Sequence, residues 1–165
     1  MLTVVSFLSK KMPITAIIPA HLNSIRLPGK ILIDIHGLPM IEHVRRRALM
    51  SELISNVYVA TCDEQIKQTV EFFGGNVIMT SKKHKNGTSR VTEAINSLDI
   101  DKIMLLQGDE PLILPRHIDK IISIVEKDGK YDAWNATGHL EVSDDLLKKS
   151  FVKCEVNSKN EILNC

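Results

Sequence analysis

The chain has 165 residues, 44% of them hydrophobic and 25% charged, with a formal net charge of +1. That length suits one domain with a real core, and the balanced charge argues against a broad nucleic-acid surface, which needs a basic excess. No stretch approaches the roughly 20 apolar residues of a membrane span, and the scattered Cys62, Cys154 and Cys165 read as reduced thiols of a cytoplasmic protein rather than a disulfide or metal framework.

Residues 1–12, MLTVVSFLSKKM, hold a short apolar stretch with neither a basic lead nor a small-residue cleavage site. The strand pattern begins at Ile14, so residues 1–12 are expected to be a disordered extension, with the folded domain over 13–165. Four continuous apolar runs, TAIIPA at 15–20, VYVAT at 57–61, NVIMT at 76–80 and IMLLQG at 103–108, predict strands buried on both faces. Helical stripes lie between and after them: Ile41, Val44 and Ala48, then Ile66, Val70 and Phe73, then Ile118, Ile121, Ile122 and Val125. WNAT at 134–137 reads as a fifth strand, and FVKCEV at 151–156 with EILNC beyond a turn-rich Asn-Ser-Lys-Asn reads as a hairpin. This alternation predicts an α/β, Rossmann-like sheet with helices on both faces.

The connections entering the predicted strands are short and plain, whereas those leaving them are long and polar. Ligands of open α/β sheets bind outside the carboxyl ends of the strands, so the site is expected on that edge. In the first such loop Ala20, Ser24 and Gly29 are small enough for backbone N–H groups to approach an anion. There Arg26 offers a planar fork and Lys30 a point charge. The loop matches neither the Walker A nor the dinucleotide fingerprint. In the third loop, Lys82-Lys83-His84-Lys85-Asn86-Gly87-Thr88-Ser89-Arg90, the Asn-Gly pair reads as a positive-φ turn and Thr88 or Ser89 as the cap of the next helix. In the fourth, Gln107-Gly108-Asp109-Glu110-Pro111, Asp109 is placed to hold a hard cation that bridges phosphates. The six histidines lack ligand spacing and read as structural or exposed. Cys62 reads as a small packed residue, and Arg45-Arg46-Arg47 as a solvated helix face.

Taken together, IIPAHLNSIRLPGK, ILIDIHGLPMIEHV, KHKNGTSRV and LLQGDEPLI resemble the CMP-Kdo synthetase family, whose motifs run roughly IIPAR-x-x-S-x-R-L-P-G-K, H-x-S-G-T-E-R and QGDEP. The resemblance covers Pro13 to Cys165. It implies a glycosyltransferase-A-like sheet, usually in a homodimer. The implied activity is transfer of CMP from CTP to an acidic sugar, Kdo or a close relative, with Mg²⁺ and release of pyrophosphate, in lipopolysaccharide or surface polysaccharide synthesis. Carried over residue by residue, Arg26 and Lys30 act catalytically, and Pro19, Ala20, His21, Ser24, Arg26, Lys30, Gly87, Thr88 and Gln107 contact the nucleotide. Arg90 contacts the acid substrate, and Asp109 holds the metal. No nucleic-acid or membrane partner is implied.

Three departures stand out. His21 replaces a family Arg, and Asn86 and Ser89 replace Ser and Glu. The family also continues well past Cys165, into a region that supplies a second metal carboxylate. The domain over 13–165 is therefore expected to be incomplete, with edge strands prone to self-association. Two alternatives remain: a catalytically inactive nucleotide-binding module, and a cytidylyltransferase for another ulosonate or a phosphonate.

Overall fold

The computed structural model describes residues 3–6, 14–24, 26–128, 130–138 and 152–164, which fall into two compact units, Met1–Asn135 and Ala136–Cys165. Sequence and elementary packing account for most of the first. Ile14–Ala20 forms β2, buried at every position. It pairs in parallel with β5 (Ile54–Thr61) on one side and β7 (Lys102–Leu105) on the other. β6 (Asn76–Met79) continues the parallel ladder beyond β5.

Alternation along β2 divides the core. Ile14, Ala16, Ile18 and Ala20 join one cluster, whereas Ile17 joins another. The first cluster takes Ile41, Val44 and Ala48 of α1 (Met40–Leu49), Ile66 and Val70 of α2 (Glu64–Phe72), and Ile118, Ile122 and Val125 of α4 (Pro115–Lys127). The second takes Val91 and Ala94 of α3 (Gly87–Ile95). Each fully buried Ile or Val contributes about 1.5–3 kcal/mol of transfer free energy. The expected stripes therefore fix which helix faces meet the sheet, and helices cover both faces as expected.

The whole sheet runs β6-β5-β2-β7-β1-β8, where β1 is Thr3–Ser6 and β8 is Ala133–Asn135. β8 confirms the fifth strand, beginning one residue and ending two residues earlier than expected. β1 corrects the expectation for residues 1–12: Thr3 pairs with Leu105 on one side and with Asn135 on the other, antiparallel to both strands. The physical reason is local. Thr3-Val4-Val5 is a β-branched run suited to a pleated ladder, and β7 has backbone groups on that side that require partners. The rest of 1–12 lies outside the described residues.

A second correction concerns the arginines of α1. Glu42, 0% exposed, accepts from Arg45 Nε and Nη2 and from Arg46 Nε, each at 2.7 Å. Arg45 also donates to the Phe73 carbonyl at 3.0 Å. The face is thus partly interior, because Glu42 and Arg45, three positions apart, neutralise each other where the end of α2 packs.

Before α1, β3 (Asp34–Ile35) and β4 (Leu38–Pro39) form a two-residue hairpin. Both of its central residues, His36 and Gly37, have positive φ, as tight hairpin turns favour. His43 contacts the Ile35 carbonyl through Nε2 at 2.7 Å, the structural role expected of it. In the second unit, β9 (Glu155–Val156) and β10 (Ile162–Asn164) form the expected antiparallel hairpin, shorter than read. Asn157 Oδ1 closes its turn by accepting the Lys159 and Glu161 N–H groups at 2.9 Å. Phe151 and Cys165, parts of the two expected strands, lie outside the described residues. Cys62 is a free thiol.

Candidate active site

The loop after β2 is held from within. The Leu22 carbonyl accepts N–H groups from Ser24 and Gly29, both at 2.9 Å, and the Leu22 N–H donates to Asp63 Oδ2, also at 2.9 Å. Gly29, at φ 70°, supplies the left-handed step that a side chain would resist. The chain then enters a 3₁₀ turn over Lys30–Leu32. Lys30 is thereby delivered beside the exit of β7, where its ammonium forms an ion pair with Asp109.

Asp109 reaches that point because Gly108 has no side chain. A Cβ there would lie 3.1 Å from the Pro19 carbonyl and 3.2 Å from Ile31 and Ile41 methyls. Partial burial raises the Asp109 pKa, but the hydrogen bond and charge of Lys30 outweigh it and hold the carboxyl below its ordinary value.

A cleft of about 100 Å³ opens around this pair, lined by Pro19, Ala20, His21, Lys30, Ile31, Gly87, Gln107, Gly108 and Asp109. Its walls come from the ends of β2 and β7. From β2 the chain builds outward through β5 and β6, then crosses to β7 on the other side. The cleft therefore sits at the reversal of strand order, the usual ligand crevice of such sheets. A second cleft of about 160 Å³ is lined by His21, Asn23, Cys62, Lys82, His84, Lys85, Asn86 and Arg90. His21 lines both, so the two adjoin. Loops leaving β2, β5, β6 and β7 all contribute, as the contrast between entering and leaving connections implies.

Of the residues singled out from sequence, Pro19, Ala20, His21, Lys30, Gly87, Gln107 and Asp109 come together in the first cleft, and Arg90 lines the second. Ser24, Arg26 and Thr88 line neither. Arg26 and Thr88 are exposed. Arg90 is 3% exposed, and its guanidinium donates to Thr80 Oγ1 and the Ser81 carbonyl.

The third loop differs from expectation in its cap. Asn86 is the N-cap of α3, its Oδ1 accepting from the Ser89 N–H at 2.8 Å. Thr88 and Ser89 lie inside the helix, and Gly87 begins it without positive φ. An Asn side chain one residue before the helix satisfies an orphan N–H directly, which leaves Gly87 free to serve by its smallness: a Cβ there would meet the Pro19 ring at 3.0 Å.

Sequence reading did not assign Lys82, His84, Lys85 or Cys62 to the site. The basic run after the third strand was the available signal for the first three. Cys62 directly follows the second strand, which puts it at the functional edge, but its sequence context reads as a small packed residue rather than as part of the cleft wall.

A divalent cation between phosphates needs only one or two carboxylates, because substrate oxygens and water complete its shell. Asp109, ionised and at the mouth of the first cleft, fits that demand. Among the described residues no group of three or more His, Cys, Asp or Glu side chains forms an all-protein metal site. No helix among them is long and apolar enough to cross a membrane.

Comparison with known proteins adds independent findings. A family model described as cytidylyltransferase matches residues 15–164. The 8-amino-3,8-dideoxy-manno-octulosonate cytidylyltransferase of Shewanella sp. (strain ANA-3) is 50% identical over 119 residues, covering 70% of this chain and 49% of that protein. The chain thus spans about half the length of the curated relatives it matches. A solved CMP:2-keto-3-deoxy-manno-octonic acid synthetase complexed with CTP superposes with a TM-score of 0.81 at 35% identity, over 93% of this chain and 63% of that one. A cytidylyltransferase from Leptospira borgpetersenii gives 0.64 at 26% identity, over 72% of this chain and 51% of that one.

Proposed function

Because the chain belongs to the cytidylyltransferase family, we propose that it forms the CTP-binding part of an enzyme that transfers CMP to an acidic sugar of the Kdo class and releases pyrophosphate. The Lys30–Asp109 pair across the strand-order reversal carries this reading. It sets a phosphate-binding cation beside a carboxylate suited to a phosphate-bridging metal. The names of the Shewanella relatives and of the CTP-bound neighbour support an octulosonate-type acceptor.

In this proposal the triphosphate lies along the loop after β2. Lys30 neutralises its charge, Arg26 swings in from solvent, and the amides near Ala20 and Ser24 approach the oxygens. His21, Gly87 and Thr88 flank the nucleotide, Gln107 hydrogen-bonds the cytidine, and Arg90 lies toward the acceptor's acid group. Asp109 would hold Mg²⁺, which supplies charge neutralisation on the phosphates. A sugar hydroxyl attacks the α-phosphorus, and the P–O bond to pyrophosphate breaks. The protein's part is positioning and electrostatic stabilisation, so no nucleophilic side chain is required. We further assign the whole protein to the cytoplasm, where CTP is made, and to a homodimer.

The test is calorimetric titration of the purified chain with CTP and ATP in Mg²⁺, followed by a pyrophosphate-release assay with Kdo and its 8-amino analogue. CTP binding in preference to ATP is expected, and tighter ATP binding would refute the assignment. CTP binding without turnover would leave the chain as a nucleotide-binding module.

A further inference from the structure

Asp63, just past the exit of β5, stands at the N-cap of α2 in an extended conformation (φ −105°, ψ 117°), yet its side chain makes no capping bond to that helix. An Asp in this position ordinarily accepts an N–H of the first helical turn. Here Oδ2 instead accepts the Leu22 N–H, 41 positions away in the loop after β2, at 2.9 Å. The Asp63 N–H is itself held by Thr61 Oγ1 at 3.1 Å. Thr61 is 0% exposed, and its carbonyl accepts the Thr80 N–H at 2.8 Å. The acceptor is therefore mounted on the buried end of β5. On the other side of the bond, Leu22 is the hub of its loop. Its carbonyl gathers the N–H groups of Ser24 and Gly29, both at 2.9 Å, and its side chain packs against the first core cluster. Asp63 thus fixes the peptide before Leu22, and the loop's own N–H groups fix the peptide after it.

We propose that Asp63 is a positioning residue for the triphosphate loop: it forgoes capping its own helix to latch Leu22, and so holds His21 and Lys30 in place at the first cleft. This rests on the nucleotide reading of the site. His21 shares the latched peptide, and Lys30 directly follows Gly29, the far anchor of the same hub; both line the first cleft. A carboxylate suits the task, because a backbone N–H donates to it through a charge-assisted bond. A loop ordered before the ligand arrives loses less freedom on binding, so more of the interaction with the phosphates appears as affinity.

Three variants separate this latch from a plain structural role. Asp63→Ala removes the acceptor. Asp63→Ser keeps a good N-cap residue for α2 on a side chain shorter by one bond, which withdraws the oxygen from Leu22. Asp63→Asn keeps an acceptor oxygen at the same reach and loses the charge. On the full chain, amide hydrogen exchange followed by NMR reports the Leu22 N–H, urea denaturation reports stability, and calorimetry in Mg²⁺ reports CTP affinity.

The Leu22 amide should be protected in the parent chain and in Asp63→Asn, and should exchange faster in Asp63→Ala and Asp63→Ser. CTP binding should weaken about tenfold in those two, the scale of one lost charge-assisted bond. Asp63→Asn should retain most of the affinity, and Asp63→Ser most of the stability. Three results would each overturn this role alone: a CTP-binding parent whose Leu22 amide exchanges freely, parent affinity in Asp63→Ser, or a loss in Asp63→Asn as large as in Asp63→Ala. The last would mark the charge of Asp63, rather than its grip on Leu22, as what the ligand needs. A protected Leu22 amide in a chain that binds no CTP would overturn the nucleotide reading and this role with it.

Discussion

Lys30 and Asp109 are 79 positions apart in the chain and joined in an ion pair at the carboxyl edge of the sheet. Neither is deeply buried, with side-chain exposures of 23% and 37%. As a surface ion pair it is worth about 1 kcal/mol or less to stability. Its importance lies in placing a cation and a ligating carboxylate side by side at a cleft.

Asp109→Asn tests that role. The shape is retained and the charge lost, so the fold should persist, as circular dichroism would register. CTP affinity measured with and without Mg²⁺ should lose its metal dependence. An unchanged dependence would assign the metal to another group.

Gly108→Ala tests the packing that brings Asp109 into place. The added methyl would press on the Pro19 carbonyl at 3.1 Å, and a backbone atom of a central strand yields little. Overpacking of this kind costs about 1–3 kcal/mol. Urea denaturation should show that loss, and CTP binding should weaken as the β7 exit is displaced. Parent stability and affinity in the variant would mean that the contact relaxes freely.

Glu42→Ala removes the carboxylate on which Arg45 and Arg46 converge. Arg45, 7% exposed, is left with the Phe73 carbonyl and an uncompensated charge. Breaking one side of a buried pair costs about 3–5 kcal/mol. A midpoint shift in urea well below that range would show that Arg45 swings out to solvent.

Glu93 gives a pH signature whose sign is set by its pKa, which the hydrogen bond from His84, then that from Ser81, hold below the ordinary value. A depressed carboxyl contributes stability above its unfolded-state pKa and loses it as pH falls through the folded value. The parent chain should therefore lose more stability than Glu93→Gln as pH falls through and below the ordinary glutamate range. Parallel acid titrations of the two proteins would show that Glu93 is uncoupled from folding.

The parallel strands and the helix stripes were legible in the residues because burial imposes a local period, continuous for β2 and three-to-four for α1 and α4. The clustering of polar loops at one edge was legible too, since each such loop follows its own strand directly. The motifs at 17–30 and 105–113 carried the family.

Relationships between distant segments were decided only by the tertiary structure. The pairing of Lys30 with Asp109 depends on Gly108 packing against Pro19. The burial of Glu42 depends on the end of α2. The insertion of Thr3–Ser6 beside β7 depends on a sheet position that local sequence does not describe. His84 and Glu93 are only nine positions apart, yet their pairing required the loop to turn back onto α3, and the Asn86 cap set that turn. Periodicity and composition record how often a residue is buried; which partner it meets is fixed by the three-dimensional path that brings the loops to a common edge.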